Sequence, residues 1–457
     1  MRTERDSMGE MQVPDDALYG ASTQRAVLNF PISGHRLPEP FIRALGLVKL
    51  ACAEANAALG VLPAAKVDLI RAAAREVAEG KLSAHFPLDV FQTGSGTSTN
   101  TNANEVISRR ASQLGGADAP AIHANDDVNR GQSSNDVIPT VLHVSVGLAL
   151  RDDLRPALEG LARELAGKAD AFAGIVKIGR THLMDAVPLT LGQEFSGYAA
   201  QAAKAVARTD RAIAALRELA IGGTAVGTGL NTHPEFGARV AAILARETGL
   251  SWFEAANHFE AQGARDDAVE VAGLLAANAA ALGKIANDIR LLGSGPRSGL
   301  GELRLPATQP GSSIMPGKVN PVMSEALVQV GFYVQGLATT VQMAGRDGHL
   351  ELNVTLPLMA HALHEMIHCL AAATRQFTTA CVRGLEADVE RCRELVERSL
   401  MLVTALNPHI GYDRAAEVAK EALATGCTLR EVVLARGLLD AATLDHALDP
   451  AGMTGGE

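Results

Sequence analysis

A short polar loop in the second half of the chain contains the residues best suited to chemistry. Residues Gly311 to Pro321 spell GSSIMPGKVNP, which places two hydroxyls, an ammonium and an amide within eleven positions. Glycine permits unusual backbone angles and proline lacks an amide donor, so the amides of residues 313–315 are expected to face one point and hold an oxyanion. The loop is therefore predicted to be catalytic.

The same loop carries a candidate anion-binding pair. Lys318 and Asn320 are two residues apart on an extended turn, so they are expected to point the same way and to offer a charge and neutral donors to a carboxylate. A phosphate-binding loop is not predicted. Five residues instead of four separate Gly311 from Gly317, and Val319 stands where such loops carry serine or threonine.

Four further segments extend this pattern along most of the chain. They are GSGT at 94–97, HANDDVN at 123–129, QSSND at 132–136 and GRTH at 179–182. Together with the loop they resemble the fumarase and aspartase superfamily, whose members eliminate a group from a succinyl compound and leave fumarate.

The resemblance implies four catalytic residues. Removing a proton next to a carboxylate needs a base and stabilisation of the charge that develops. Ser312 is predicted to be the base, and Lys318 with Asn320 is predicted to neutralise the intermediate. His182 is predicted to protonate the leaving group because histidine titrates near neutral pH. Glu325 resembles the carboxylate that pairs with this histidine; the alternative is a solvated glutamate.

Small hydroxyl and amide side chains are predicted to hold the substrate carboxylates, because they donate hydrogen bonds without adding charge. The residues at the family's contact positions are Ser95, Thr97, Ser133, Ser134, Asn135 and Thr181. Any of them is also suited to a helix cap, above all the two serines that precede a long helical pattern.

A second, shallower anion site is implied by the match of His123, Asn125 and Asp126 to the family. Family members commonly carry a basic residue three positions before this histidine, whereas this chain has Pro120. A turn or a helix cap is the stronger alternative for these three residues.

A competing motif lies at 364–368, where His364-Glu365-Met366-Ile367-His368 fits the zinc-protease pattern HExxH. It sits inside a long apolar segment with His361 beside it, and no downstream third-ligand spacing follows it. Helix packing or subunit contacts are the favoured interpretation, so neither a metal nor an organic cofactor is predicted.

Composition excludes several classes of protein. The chain has 457 residues, 47% of them hydrophobic, and a net charge of −10. Nucleic-acid binding is not predicted because no basic face is concentrated anywhere. No membrane association is expected from the sequence, and export is not expected from the charged start. Five scattered cysteines are expected to be reduced thiols, which favours the cytoplasm.

Apolar residues recur at helical spacing near 137–170, 191–220, 235–249, 264–292, 321–345 and 354–384. A mainly α protein is therefore predicted, with an irregular first domain (1–132) that includes a polar loop at 93–104, a central long-helix bundle (133–390) and a small helical domain (391–457). Several helices are apolar on most sides, which predicts a homo-oligomer. The resemblance implies a homotetramer of the three-domain fumarase/aspartase-like fold, with each active site built from three chains.

The details favour the fumarase branch, and hence hydration of fumarate, a small dicarboxylate, to malate. Ser95 stands where aspartases tend to have alanine, and the segments 351–354 and 401–412 also match fumarases. Residues 98–102 are closer to aspartase usage. Aspartate ammonia-lyase, another substituted-succinate lyase, a zinc hydrolase and a non-catalytic helical scaffold remain the alternatives.

Overall fold

The computed structural model describes residues 1–455 and is mainly α-helical, which confirms the predicted fold class. The α-helices are α1 (Ala21–Asn29), α2 (Glu39–Ala58), α3 (Ala64–Ala78), α4 (Thr97–Gly115), α5 (Ser134–Ala149), α6 (Arg155–Ala171), α7 (Leu191–Ala215), α8 (Phe236–Thr248), α9 (His258–Gly263), α10 (Asp266–Leu292), α11 (Val322–Gly345), α12 (Leu356–Ala380), α13 (Val389–Arg398), α14 (Asn407–Ile410), α15 (Tyr412–Thr425), α16 (Leu429–Ala435) and α17 (Ala441–Ala447).

The strands form five two-stranded pairs in the described chain. They are β1 (Arg2–Asp6) with β2 (Gly9–Val13), β3 (Val176–Thr181) with β4 (Met184–Thr190), β5 (Glu218–Leu219) with β6 (Phe253–Glu254), β7 (Leu303–Arg304) with β10 (Glu386–Ala387), and β8 (Gly348–His349) with β9 (Leu352–Asn353). Only β5 and β6 run parallel. The β3–β4 hairpin carries Thr181 at the end of its first strand.

The chain forms two compact units. Unit 1 comprises Met1–Pro156, Val206–Ala279 and Val330–Ala371, and unit 2 comprises Ala157–Ala205, Ala280–Gln329 and the described residues from Ala372 onward. Five helices, α6, α7, α10, α11 and α12, contribute residues to both units. The three-domain boundaries expected from the sequence stay a prediction.

The polar segment 93–104, predicted to be a loop, is helical from Thr97 onward in unit 1. Its asparagines have low helix propensity, but tertiary contacts prevail: Asn102 is buried and donates to the His85 carbonyl at 3.0 Å. Gly96 precedes the helix with a φ of +73°, and a Cβ there would lie 2.8 Å from Ile138. The turn before α4 therefore requires glycine.

The helix predicted from 137 to 170 is two helices joined by one wide turn. Helix α5 ends at Ala149, the π-type turn Leu150–Leu154 follows, and α6 begins at Arg155. Such a turn inserts about one extra residue without interrupting the chain of helical dihedrals. Apolar periodicity alone could not locate it.

A separate apolar core holds the C-terminal helices of unit 2 together. Leu406, Val418, Val433 and Leu444 are buried in it with Ile178 of β3. Helix α15 lies between Gly411 and Gly426, and Asn407 and Pro408 begin α14. Proline fits there because the first helical amides have no intrahelical acceptor.

Helix α10 is, in the described chain, the one helix long and apolar enough to meet the length and composition criterion for a membrane span. Its apolar window has a mean hydropathy of 1.4, and 44% of that window is buried. Val271, Leu275, Leu282 and Ile285 are among its buried residues. A core helix meets the same criterion.

Candidate active site

A polar cavity of about 420 Å³ in unit 1 brings together four of the predicted substrate-binding or anion-site residues. They are Thr97, Asn125, Ser133 and Ser134. The cavity is also lined by Asn100, Thr101, Asn104, Asn129, Gly131, Gln132, Thr224, Ala225, Leu230 and Asn231. A larger cavity of about 870 Å³ in unit 2 is lined by none of the predicted site residues.

Two helix N-termini border the 420 Å³ cavity. Helix α4 begins at Thr97 and α5 begins at Ser134, and both residues line it. Helix N-termini carry partial positive charge and unpaired amides. None of the lining side chains is charged, so the cavity combines two dipoles with neutral hydroxyl and amide donors. That combination suits a carboxylate.

Ser133 is both a helix cap and part of the cavity wall. Its Oγ accepts from the Asn135 amide at 3.2 Å, and its own amide donates to Asp136 Oδ1 at 2.8 Å, which completes a capping box. Because the serine oxygen accepts an amide, its hydroxyl proton stays available to a ligand. Ser133 can therefore cap the helix and bind a ligand at the same time.

Ser95 and Asn135 lie beside the same cavity and have partners within unit 1. The Ser95 hydroxyl, on a buried residue, is 3.0 Å from the hydroxyl of Thr97. The Asn135 side-chain nitrogen donates to the Ala225 carbonyl at 2.8 Å. These bonds orient Thr97 and tie α5 to the loop that follows residue 220.

The sequence did not predict that the loop after residue 220 belongs to the site. Residues 224–231 supply four lining residues, and the amides of Gly222 and Thr224 donate to Asp136 Oδ2 at 3.1 and 2.9 Å. Burial raises the pKa of Asp136 to about 6, against the lowering effect of these amides. Four glycines between 222 and 229 were the available signal, since they resemble the glycine spacing of the catalytic loop.

The loop 311–321 lies in unit 2 and directs two amides at Ser312. Ile314 and Met315 donate to Ser312 Oγ at 3.3 and 3.0 Å. The Asn320 side chain donates to the Gly311 carbonyl at 2.5 Å, which ties the two ends of the loop together. Lys318 is exposed. Two donors on one hydroxyl oxygen favour its negatively charged form.

His182 is at the tip of the β3–β4 hairpin. Thr181 pairs with Met184, so His182 and Leu183 form a two-residue turn in which both have positive φ, +55° and +62°. Left-handed backbone is costly for residues other than glycine, and such strain concentrates at functional positions. Thr181, His182 and Leu183 are all exposed.

Buried charges anchor the strand that leads to this tip. Arg180 donates twice to Glu302, at 2.9 and 3.0 Å, and Lys177 lies 3.3 Å from the same carboxylate. Lys177 also donates to Glu194 at 2.9 Å. Glu302 is fully buried, so the pairing compensates for its desolvation. The strained turn therefore begins from a fixed strand.

The predicted pairing of His182 with Glu325 is not made within one chain. Both residues are described, and no hydrogen bond or ion pair joins them within residues 1–455. Glu325 is half-buried in the first turn of α11. The pair stays a prediction that involves more than one chain.

The three residues of the second anion site form a local turn. His123 Nδ1 accepts from the Asp126 amide at 3.1 Å and so caps the short helical turn Ala124–Val128. The His123 and Asp126 side chains are exposed, whereas Asn125 lines the 420 Å³ cavity. The geometry favours the cap that the sequence offered as an alternative for His123 and Asp126.

The HExxH motif lies on α12, and its first histidine is engaged elsewhere. His364 is buried with Nε2 2.9 Å from Ser145 Oγ, and burial lowers its pKa to about 4. His368 is exposed. Within residues 1–455, no group of three His, Cys, Asp or Glu side chains is placed to hold a metal ion. The motif is therefore part of helix packing.

Known proteins similar to this chain agree with the geometry. A family model described as Lyase matches residues 9–336, and one described as Fumarase C C-terminus matches 402–455. The class II fumarate hydratase of Halobacterium salinarum is 54% identical, over 99% of this chain and 97% of its own length. The human mitochondrial fumarate hydratase is 50% identical over 99% and 90%.

A solved structure extends the agreement to the fold. The crystal structure of class II fumarase from Schistosoma mansoni matches with a TM-score of 0.96 at 40% identity, over 99% of both chains. The long-helix fold and the polar site define a helical lyase. Within that class, the chain belongs to the class II fumarate hydratase family, and the resemblance read from its motifs is confirmed.

Proposed function

We propose that this chain catalyses the reversible hydration of fumarate to malate through an aci-carboxylate intermediate, a step of the tricarboxylic acid cycle. One observation carries the proposal most directly: a cavity with neutral donors at two helix N-termini, in a chain similar over its full length to fumarate hydratases. A small dicarboxylate is the substrate that this arrangement suits.

In the dehydration of malate to fumarate, the oxygen of Ser312 removes a proton from the carbon next to a carboxylate. The electrons of that C–H bond move into the carboxylate, which becomes a dianion. The amides of Ile314 and Met315 stabilise the charged serine before the transfer, because both already donate to its Oγ. Lys318 and Asn320 stabilise the dianion.

The intermediate then loses the hydroxyl on the neighbouring carbon. His182, oriented by Glu325, donates a proton to that oxygen, so that water leaves and the double bond of fumarate forms. Ser95, Thr97, Ser133, Ser134, Asn135 and Thr181 hold the carboxylates throughout. His123, Asn125 and Asp126 form at most an entry site, with Asn125 on the cavity wall.

The site is complete in a homotetramer in which three chains contribute to each active site. Supporting this are large apolar side chains exposed on the segments concerned: Leu183 is 75% exposed, Ile314 83% and Phe332 of α11 73%. Exposed apolar groups of this kind mark association surfaces. Sedimentation equilibrium tests the assembly, with a mass of four 47.7 kDa chains expected.

A cytoplasmic location is part of the proposal. The five cysteines are all free thiols, and three of them, Cys52, Cys381 and Cys392, are buried. Unpaired thiols fit a reducing compartment.

One assay tests the reaction. Purified protein is mixed separately with malate, with aspartate, and with fumarate in the presence or absence of ammonium, and fumarate is followed by ultraviolet absorbance. Equilibration with malate, but not with aspartate, is expected. Conversion of aspartate with malate inert would identify an ammonia-lyase instead.

A further inference from the structure

A buried lysine lies behind the 420 Å³ cavity and has no place in the mechanism so far. Lys49, on α2, has no exposed surface. Its ammonium donates at 2.9 Å to Asn129 Oδ1 and at 2.9 Å to Gln132 Oε1. Both acceptors line the cavity. The lysine therefore contacts the cavity wall from the protein side.

Lys49 fixes which way these amides face. An ammonium has three donors and no acceptor, so each amide must present its oxygen to it. Asn129 then accepts a second bond at the same oxygen, from the side-chain nitrogen of Asn100 at 3.1 Å. A flipped Asn100 would place two amide oxygens against each other, so its orientation follows from that of Asn129.

The direction of donation continues to Ser134. The second hydrogen of the Asn100 nitrogen goes to Ser134 Oγ at 3.1 Å. Ser134 therefore accepts from the protein, and its own hydroxyl proton stays free for the cavity that it lines. A hydroxyl forced to donate inward would instead present only lone pairs to an anion, which repels it.

We propose that Lys49 is a positioning residue: it fixes the direction of the chain Lys49–Asn129–Asn100–Ser134, so that Ser134 donates to a substrate carboxylate. This inference rests on the proposed function. The buried charge also attracts the anion in a protein of net charge −10 whose cavity lining is uncharged.

The test compares KM and kcat for malate in Lys49→Met, Ser134→Ala and the double variant. Lys49→Met is expected to raise KM about tenfold and to change kcat much less, because one donor to the carboxylate is lost. The double variant is expected to resemble the worse single variant, since both changes remove the same bond. Multiplying effects would contradict action through Ser134.

Leu50→Met is the matched control. Leu50 is on the same helix and equally buried, and its side chain carries no polar or titratable group. Its KM is expected to stay at the wild-type value. If the wild type converts malate and Lys49→Met has the same KM as this control, the proposed role of Lys49 is wrong. If the wild type does not convert malate, the proposed function falls, and this role falls with it.

A pH series tests whether the charge of Lys49 attracts the substrate. Burial lowers the pKa of Lys49 to about 8, while Cys52 and Asp136, the titratable groups that act on it, raise it. The ratio of KM between Lys49→Met and wild type is therefore expected to shrink from pH 7 to pH 9, as the wild type loses this charge. A neutral amine keeps two donors for Asn129 and Gln132, so a ratio independent of pH would contradict the attraction by the charge, whereas the double variant tests the positioning.

Asn100→Asp provides a second route if Lys49→Met does not fold. Aspartate keeps the size of asparagine but cannot donate, so Ser134 must donate to it and turn away from the cavity. KM is expected to rise at least as much as in Ser134→Ala. An unchanged KM in Asn100→Asp would overturn the proposed direction of the hydrogen bonds.

Discussion

The two groups of proposed active-site residues are supported very differently by their own chain. Ser133 and Ser134 stand at the start of a helix, and the buried side chains of Asp136 and Lys49 hold their surroundings. His182, proposed for proton transfer, lies at a strained hairpin tip. Ser312, proposed as the base, lies in a loop with exposed neighbours. The binding groups at the start of α5 are fixed by the core, whereas the transfer groups lie at exposed turns.

This difference suggests that substrate binding and proton transfer have different structural requirements. A carboxylate site must be preorganised, because donors that have to reorient lose binding energy. Proton-transfer groups on exposed turns are free to meet the substrate after it binds or after chains assemble. Variants of the loop and hairpin are therefore expected to change turnover, and variants near α5 are expected to change stability and substrate affinity.

The largest effect is expected for Ser312→Ala. Without the base, kcat should fall about 10²–10⁴-fold, while the fold and the KM for malate stay close to wild type, since the loop is exposed. Stopped assays with malate measure it. Ser313→Ala is the matched control and should keep nearly full turnover. Equal losses in the two variants would remove Ser312 as the base.

His182→Asn should lower kcat for malate about a hundredfold, because the leaving hydroxyl then has no side chain that can protonate it. Asparagine tolerates the left-handed backbone that this position requires, so the hairpin should persist. His446→Asn, on the exposed face of α17, serves as the control. An unchanged turnover number in His182→Asn would dismiss the proposed acid.

Asp136→Asn tests the binding region at the start of α5. Its carboxylate accepts the amides of Ser133, Gly222 and Thr224, and an asparagine cannot accept all three. The free energy of unfolding should fall by about 1–3 kcal/mol for each amide left unpaired, and KM should rise severalfold. Thermal and urea unfolding measure the first effect. Asp118→Asn, at an exposed carboxylate outside the cavity, should change neither.

The sequence predicted the helical fold and part of the cavity wall because both leave periodic or motif-like patterns. It placed Thr97 and Ser134 at the site, and both line the cavity. It was wrong about the segment 93–104, because buried asparagine contacts override low helix propensity. It missed Lys49 because a buried charge inside an apolar helix has no local signature. Asp136 belongs to the segment 132–136 that carries the resemblance, but only tertiary contacts reveal its bonds to Gly222 and Thr224.

The roles of Ser312, His182 and Glu325 stay predictions for a related reason. Their partners are expected to come from other chains, and contacts of that kind cannot be read from the sequence of one. The strained turn at His182 and the two amides on Ser312 are the local observations that favour these roles.

Complementation between inactive variants tests most directly whether the transfer groups converge from separate chains. Purified Ser312→Ala and His182→Asn proteins are unfolded together, refolded as mixed oligomers and assayed with malate, with each variant refolded alone as the control. If different chains supply the serine and the histidine, some mixed sites contain both wild-type residues and activity should return. Mixed oligomers that form but stay as inactive as either parent would contradict the shared site.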